Sequence, residues 1–179
     1  MPELILPTTR LHAAFLECRD EWGPGVHEDG FGLLATDDVD SPDGFAAWVR
    51  RRVQLTHGAG EPCPGEQHSS PRWIVEDGRV LGGIDLRHRY DDDLGQIGYG
   101  VRASARRRGL ASWALGGMLA EARAVLGLDR VLIPCLADNV ASARTIEHCG
   151  GVLETIRHFE GFSVRRYWIA LDGRERPVS

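Results

Sequence analysis

A chain of 179 residues is long enough for one compact core and too short for two comfortable ones. Its 42% hydrophobic and 26% charged residues exclude the disordered and fibrous classes and suit an ordinary soluble domain. The net charge of -5 argues against a dedicated nucleic-acid binder, so any basic site must be local.

Four cysteines, Cys18, Cys63, Cys135 and Cys149, are scattered without a C-x-x-C pair, so neither a zinc ribbon nor a thioredoxin-like motif is indicated and a reduced compartment is expected. The seven histidines show no H-E-x-x-H spacing, and no metal is expected. Met1 to Thr9 lacks the basic and apolar regions of a signal peptide, and no run approaches the roughly 18 apolar residues of a membrane span. A cytoplasmic protein without membrane contact is the expectation.

Glu3 to Leu6 reads as a short strand, followed by a Pro7-Thr8-Thr9 break that offers helix caps. Leu11, Ala14, Phe15, Cys18 and Trp22 recur at helical spacing, which predicts a first helix from about Thr9 to Trp22, stopped by Gly23-Pro24-Gly25. From there to Asp40 the chain is glycine-rich and acidic (Glu28, Asp29, Asp37, Asp38, Asp40), with Phe31, Leu33 and Leu34 inserted, and reads as an irregular surface loop. Ser41-Pro42-Asp43 is a helix start, since serine can cap orphan N–H groups and proline at the first position loses nothing; the helix runs to about Thr56. His57 to Pro71 carries glycines and prolines that no helix or central strand tolerates and is expected to be a mobile loop.

Trp73 to Glu76, the Asp77-Gly78 turn and Val80 to Leu86 form a hairpin, because Asp-Gly suits the positive φ of a tight turn. An acidic turn, Tyr90 to Gly95, leads into a third antiparallel strand, Gln96 to Val101. Next come Arg106-Arg107-Arg108-Gly109-Leu110-Ala111 and a helix over Ser112 to Leu126. Strand, basic glycine loop and helix in that order build an anion site, since first-turn N–H groups lack partners and carry the positive end of the helix dipole. The bland alternative for three arginines is a solvated basic stretch; the adjoining Gly109, Ala111 and helix start favour the site, and the missing G-K-[S/T] disfavours a nucleotide P-loop.

Gly127 ends that helix, and Arg130 to Cys135 reads as a strand parallel to Gln96–Val101 through a β-α-β crossover. Pro134 should sit where pairing fails, and Gly98 and Gly100 could place a bulge in the neighbouring strand, so the two parallel strands should part at their C-terminal ends. Asp138 or Asn139 can cap a helix from Val140 to Cys149 that Gly150-Gly151 ends. Val152 to Phe159 and Val164 to Leu171 make a closing hairpin, and a polar tail follows from Asp172.

Two motifs now stand at a set separation: Arg106, Gly109 and Ala111 fit Q/R-x-x-G-x-G/A, and Asn139 is followed by Ser142 and then by Gly150-Gly151. With them the sequence resembles the GCN5-related N-acetyltransferase (GNAT) superfamily, closely over Arg72 to Leu171 and by element order before that. Ile97-Gly98-Tyr99-Gly100-Val101 and Arg166-Tyr167-Trp168-Ile169 make it most similar to the bacterial predicted-acetyltransferase branch. The resemblance implies one N-acetyltransferase domain over 1–179 with its cofactor-binding core at about 72–171. The implied fold is α+β, three-layered, with a mixed, mostly antiparallel sheet of about seven strands, a splayed parallel pair at its centre and about four helices. It also implies acetyl-CoA as co-substrate, with no metal, and acetyl transfer directly to a primary amine of a small molecule, peptide or protein. A homodimer is compatible with it.

As cofactor-binding residues the resemblance marks Tyr99, Val101, Arg106, Arg107, Arg108, Gly109, Leu110, Ala111, Asn139, Ser142 and Arg144. Asn139 would touch the pantetheine arm, although on composition it is an ordinary cap; Arg144 could equally be a surface side chain. The thioester carbonyl would meet a backbone N–H near Tyr99 to Val101. The sequence departs from the family where a tyrosine protonates the departing thiolate, because Ile146 stands there, and where a glutamate acts as base, because Gln96 stands there. Ser142 is the substitute acid; His88, with a reference pKa of about 6.5, is the attractive substitute base, beside Asp85 and Asp91-Asp92-Asp93. Each of these is also readable as a cap or a hairpin surface residue. Neither Cys135 nor Cys149 has an evident activating base, so direct transfer is preferred to an acetyl-enzyme. The acidic loops suggest a cationic acceptor. The same two departures leave open a non-catalytic acyl-CoA-binding regulatory module.

Overall fold

The computed structural model describes residues 1–23, 30–56, 58, 61–64 and 66–171. Pro24 and Gly25 of the expected helix stop, Glu28 and Asp29 of the acidic loop, four positions of the loop after Thr56 and the tail from Asp172 lie outside them.

β1 (Glu3–Ile5) is followed by a 3-10 turn, Thr9–Leu11, where Thr8 Oγ1 accepts the N–H of Arg10, and by α1 (His12–Asp20). The α-helical part is thus shorter than the predicted Thr9–Trp22, and Gly23, at φ 76°, lies just beyond its end. α2 (Pro42–Thr56) begins as its sequence dictates: Ser41 Oγ accepts the N–H of Gly44 at 3.1 Å, and Asp38 in turn accepts from Ser41. β2 (Ser69–Glu76), β3 (Arg79–Arg87) and β4 (Ile97–Val101) form the predicted meander, and β1 adds to its outer edge. α3 (Leu110–Ala124), β5 (Arg130–Leu136), α4 (Val140–His148), β6 (Val152–Phe159) and β7 (Phe162–Ala170) complete the described chain. The seven strands form two antiparallel ladders, β1-β2-β3-β4 and β5-β7-β6.

Two expectations are corrected here. Ser69, Ser70 and Pro71 belong to β2 rather than to a loop. Proline is tolerated because β1 pairs with β2 only from Trp73 to Val75, so at Pro71 the strand is partnered on its β3 side alone. The segment before α2 is no surface loop throughout, since Phe31 and Val39 are buried.

Each face of the first ladder carries its own core. α1 and α2 cover one face with aromatic side chains, in which Phe15, Phe45, Trp48 and Trp73 stack at centroid distances of 5.0–6.2 Å. α3 covers the other, and with α4, which packs on α3 and β5, it encloses aliphatic side chains including Ile74, Ile84, Leu115, Met118, Ile133 and Ile146. The described acidic residues just before α2 have partners: Asp37 pairs with Arg51 at 2.7 Å, Asp40 with Arg19 at 2.7 Å, and Asp38 accepts from Ser41, the residue that caps α2.

Candidate active site

The site grows from the place where the two ladders touch. Gln96 N–H donates to Leu132 O at 2.8 Å, and Leu132 N–H donates back to Gln96 Oε1 at 3.2 Å, so the amide side chain completes a seam that backbone alone leaves half made. Gln96 is buried there, in a structural role that its match to a family base did not foretell. Beyond this point β4 and β5 share no ladder. Pro134, which has no N–H to offer, pairs with Arg166 of β7 on one side and packs on Gly95 on the other. A Cβ at Gly95, where φ is 63°, would lie 2.3 Å from Pro134 Cδ.

The expected bulge in β4 is absent: its register with β3 is unbroken from Gly82 opposite Val101 to Leu86 opposite Ile97. Close approach is required on the facing strand, since a Cβ on Gly82 of β3 would lie 2.1 Å from Gly100 O. Hydrogen bonds from Arg87 N–H to Gln96 O and from Arg102 N–H to Leu81 O fix the alternation of this pair. That alternation turns the amides of Gly98 and Gly100 toward β3 and those of Tyr99 and Val101 toward the gap beside β5.

At the far end of the gap lies the basic loop. Arg107 at φ 64° and Gly109 at φ 74° are both left-handed, which folds the loop's amides toward one concavity. Gly109 caps α3, and the first helical bond runs from Trp113 N–H to Gly109 O, so the amides of Leu110, Ala111 and Ser112 precede it as first-turn donors. A cavity of about 610 Å³ opens here, bordered by Arg106, Arg107, Gly109, Leu110 and Ala111 at one end and by Tyr99, Val101, Asn139 and Ser142 along its length. Arg106 Nε donates to Val101 O at 3.1 Å, tying loop to strand. Two marked arginines are absent from this lining: Arg108 pairs with Glu76, and Arg144 is exposed on α4.

Trp22 and Thr145 border the cavity and were not singled out from sequence. Trp22 carried only a helix-spacing signal; its place depends on Glu21, whose carboxylate accepts from Arg102 Nε at 2.8 Å and from Ser104 Oγ at 2.9 Å. Arg102 is buried and also reaches Glu17 at 2.7 Å, so the end of α1 is pinned to the turn that precedes the basic loop. Arg102's hydrogen bond holds the Glu21 carboxyl at a pKa of about 2.

A second cavity, about 230 Å³, is bordered by Asp93, Leu94, Pro134 and Val164, and it shares Tyr99, Leu136, Asn139 and Ser142 with the first. In this common wall Tyr99 Oη lies 2.9 Å from Ser142 Oγ, and Asn139 Oδ1 accepts the N–H of Ser142 at 3.0 Å. Burial pushes the Tyr99 phenol up to about 12. Ile146 is wholly buried in the aliphatic core, with Gly151 packed against it.

His88 is not brought to this wall. It borders neither cavity, lies half-buried beyond the end of β3 with Nε2 3.0 Å from Ser70 Oγ, and burial lowers its pKa. Asp85 is tied to Arg52 at 2.7 Å on the α2 face. Asp91 holds its own turn by accepting from the N–H groups of Asp93 and Leu94, and Asp92 pairs with Arg157 and Arg166. Of the acidic candidates, Asp93 borders one of these two cavities and Asp85, Asp91 and Asp92 border neither. Burial raises the Cys135 and Cys149 thiols, away from the thiolate form. Among the described residues no group of three His, Cys, Asp or Glu side chains could hold a metal ion, and no helix is long and apolar enough to cross a membrane.

The sequence profile of the acetyltransferase (GNAT) domain matches residues 22–152. No curated protein matches the chain. Solved structures are similar in fold. The ribosomal-protein-S5-alanine acetyltransferase from Vibrio fischeri shares 15% identity at a TM-score of 0.70, covering 98% of this chain and 94% of its own. An N-acetyltransferase from Staphylococcus aureus Mu50 shares 17% identity at 0.64, covering 96% and 99%. The microcin C7 self-immunity acetyltransferase MccE, in complex with acetyl-CoA and AMP, shares 14% at 0.66, covering 94% and 92%.

Proposed function

Because the chain belongs to the GNAT acetyltransferase family, we propose that it transfers the acetyl group of acetyl-CoA directly to a primary amine on a small molecule or a peptide. The observation that carries this reading is the pair of cavities meeting at one wall: the larger ends in an anion-binding loop, and the smaller gives a separate approach to the same wall. The amides of Gly109, Leu110 and Ala111 bind the pyrophosphate, and Arg106 and Arg107 add charge-assisted bonds. The open-edge amides of Tyr99 and Val101 hold the pantetheine arm and polarise the thioester carbonyl, while Asn139 contacts the arm. Ser142, on the common wall, is the hydroxyl for the departing sulfur. The acceptor enters past Asp93, which favours a cationic amine, and loses its proton to water, since neither His88 nor Gln96 serves as base.

MccE, of similar fold, binds acetyl-CoA, and the Vibrio fischeri protein acts on an alanine of a ribosomal protein. These support the cofactor and leave peptide amines among the acceptors. Isothermal titration with acetyl-CoA, joined to a thiol-release assay over small amines and peptides with free N-termini, tests the proposal. Saturable binding with amine-dependent release is expected. Binding without release to any amine would favour the non-catalytic module, and no binding would overturn the reading of the larger cavity.

A further inference from the structure

The wall between the cavities is built around two hydroxyls from facing elements, Tyr99 on β4 and Ser142 in the first turn of α4. A serine hydroxyl has one hydrogen and two lone pairs and turns freely about its C–O bond, so its value as a donor depends on what holds it. Ser142 offers the Tyr99 phenol Oγ at 2.9 Å and its backbone oxygen at 3.3 Å, and the Thr145 hydroxyl, which itself donates to Ala141 O at 3.0 Å, stands beside the same phenol. When the phenol donates to Ser142 Oγ, the Ser142 hydrogen is directed elsewhere: toward the two cavities or toward the Cys135 sulfur, which borders the smaller one. α4 contributes no phenol of its own, because Ile146 is buried in the core.

We infer, resting on the larger cavity being the acetyl-CoA groove, that Tyr99 is a positioning residue: its O–H donates to Ser142 Oγ and so aims the Ser142 O–H at the sulfur of coenzyme A. In the transfer step the amine lone pair forms the C–N bond, and the C–S bond breaks with its electron pair passing to sulfur. The Ser142 hydrogen bond stabilises that developing thiolate. The acylated nitrogen releases its proton to water, and water returns one to the thiolate, so protons balance. The high phenol pKa fits this role, since Tyr99 then stays a donor throughout the working pH range instead of turning into an acceptor that would pull the serine hydrogen back.

The test uses free coenzyme A, labelled with carbon-13 beside its thiol, bound to the full-length protein, and reads the bound thiol's pKa from the labelled resonance. Ser142→Ala should raise that pKa by about one unit relative to wild type, the size of one hydrogen bond to a charged group. Tyr99→Phe, which keeps the ring and its packing, should raise it by a comparable amount. The double variant should match Ser142→Ala alone, and Ser142→Thr, which keeps a hydroxyl, should stay near wild type. A role of Tyr99 in packing or stability alone would leave the bound thiol unmoved in Tyr99→Phe, whatever that variant's melting temperature. Coenzyme A bound with the same thiol pKa in all variants would overturn the inference while sparing the groove. Failure of wild type to bind coenzyme A would overturn the groove, and the inference with it.

Discussion

β4 is held differently along its two edges. Toward β3 every one of its five residues has a register partner; toward β5 the only tie among the described residues is the reciprocal bond of Gln96 with Leu132, just before the strand begins. The paired edge fixes where Tyr99 and Val101 stand, and the unpaired edge frees their amides and leaves room for a ligand. A gap in a sheet is usually a liability of unpaired donors. Here it is bounded, closed at one end by a glutamine side chain and at the other by the helix cap of α3.

The contrast can be broken hardest on the closed side. Trp73→Ala, at a side chain wholly buried in the aromatic core beside the β2–β3 ladder, should cost about 3–5 kcal/mol in urea unfolding. A cost near 1 kcal/mol would mean that the aromatic stack does not support this ladder. Gly95→Val forces a side chain into a left-handed position against Pro134 and should cost about 2–4 kcal/mol by thermal unfolding. Gln96→Ala leaves the Leu132 amide without its acceptor and should cost about 1–3 kcal/mol, with the loss of exchange protection concentrated at Leu132. On the open side the pattern should invert. Arg106→Ala or Arg107→Ala should leave stability within about 0.5 kcal/mol and weaken acetyl-CoA binding about tenfold each in titration calorimetry, whereas Arg108→Ala, whose partner is Glu76, should change binding less.

The smallest effect concerns pH. The Glu21 carboxyl has its pKa lowered by Arg102 to about 2 in the folded protein, below its unfolded value. Its contribution to stability is therefore present above the unfolded pKa of about 4.3 and lost as pH falls toward 2. Glu21→Gln should accordingly lower the melting temperature near pH 7, flatten the acid side of its profile between about pH 4 and 2, and leave it close to wild type near pH 2.

What sequence made legible follows the same division. The cap at Ser41, the Asp77-Gly78 turn and the run from Arg106 to Ala111 are local chemistry, in which each residue's backbone preference is expressed within a few positions. Pro134 was readable for the same reason: a missing N–H means the same thing in any context. The Gln96–Leu132 seam, the Tyr99–Ser142 contact and the position of Trp22 join residues 36, 43 and more positions apart, and no periodicity carries that information. Gly98 and Gly100 misled because glycine in a strand does not by itself mean a bulge, and the register with β3 runs through both without a break. His88 misled because chemical aptitude says nothing about which end of a strand a side chain occupies.

Arg102 joins parts of the molecule that the chain keeps far apart. One buried guanidinium binds Glu17 and Glu21 at the end of α1 and also Val80 O within the sheet, while Glu21 reaches on to Ser104 before the basic loop. Fraying of α1 and loosening of the loop therefore break the same bonds, so the two cannot open independently. They constitute one cooperative opening unit. A ligand that tightens the loop is then felt more than eighty residues upstream in the chain as slower opening of the helix end, with no change of shape required to carry the message.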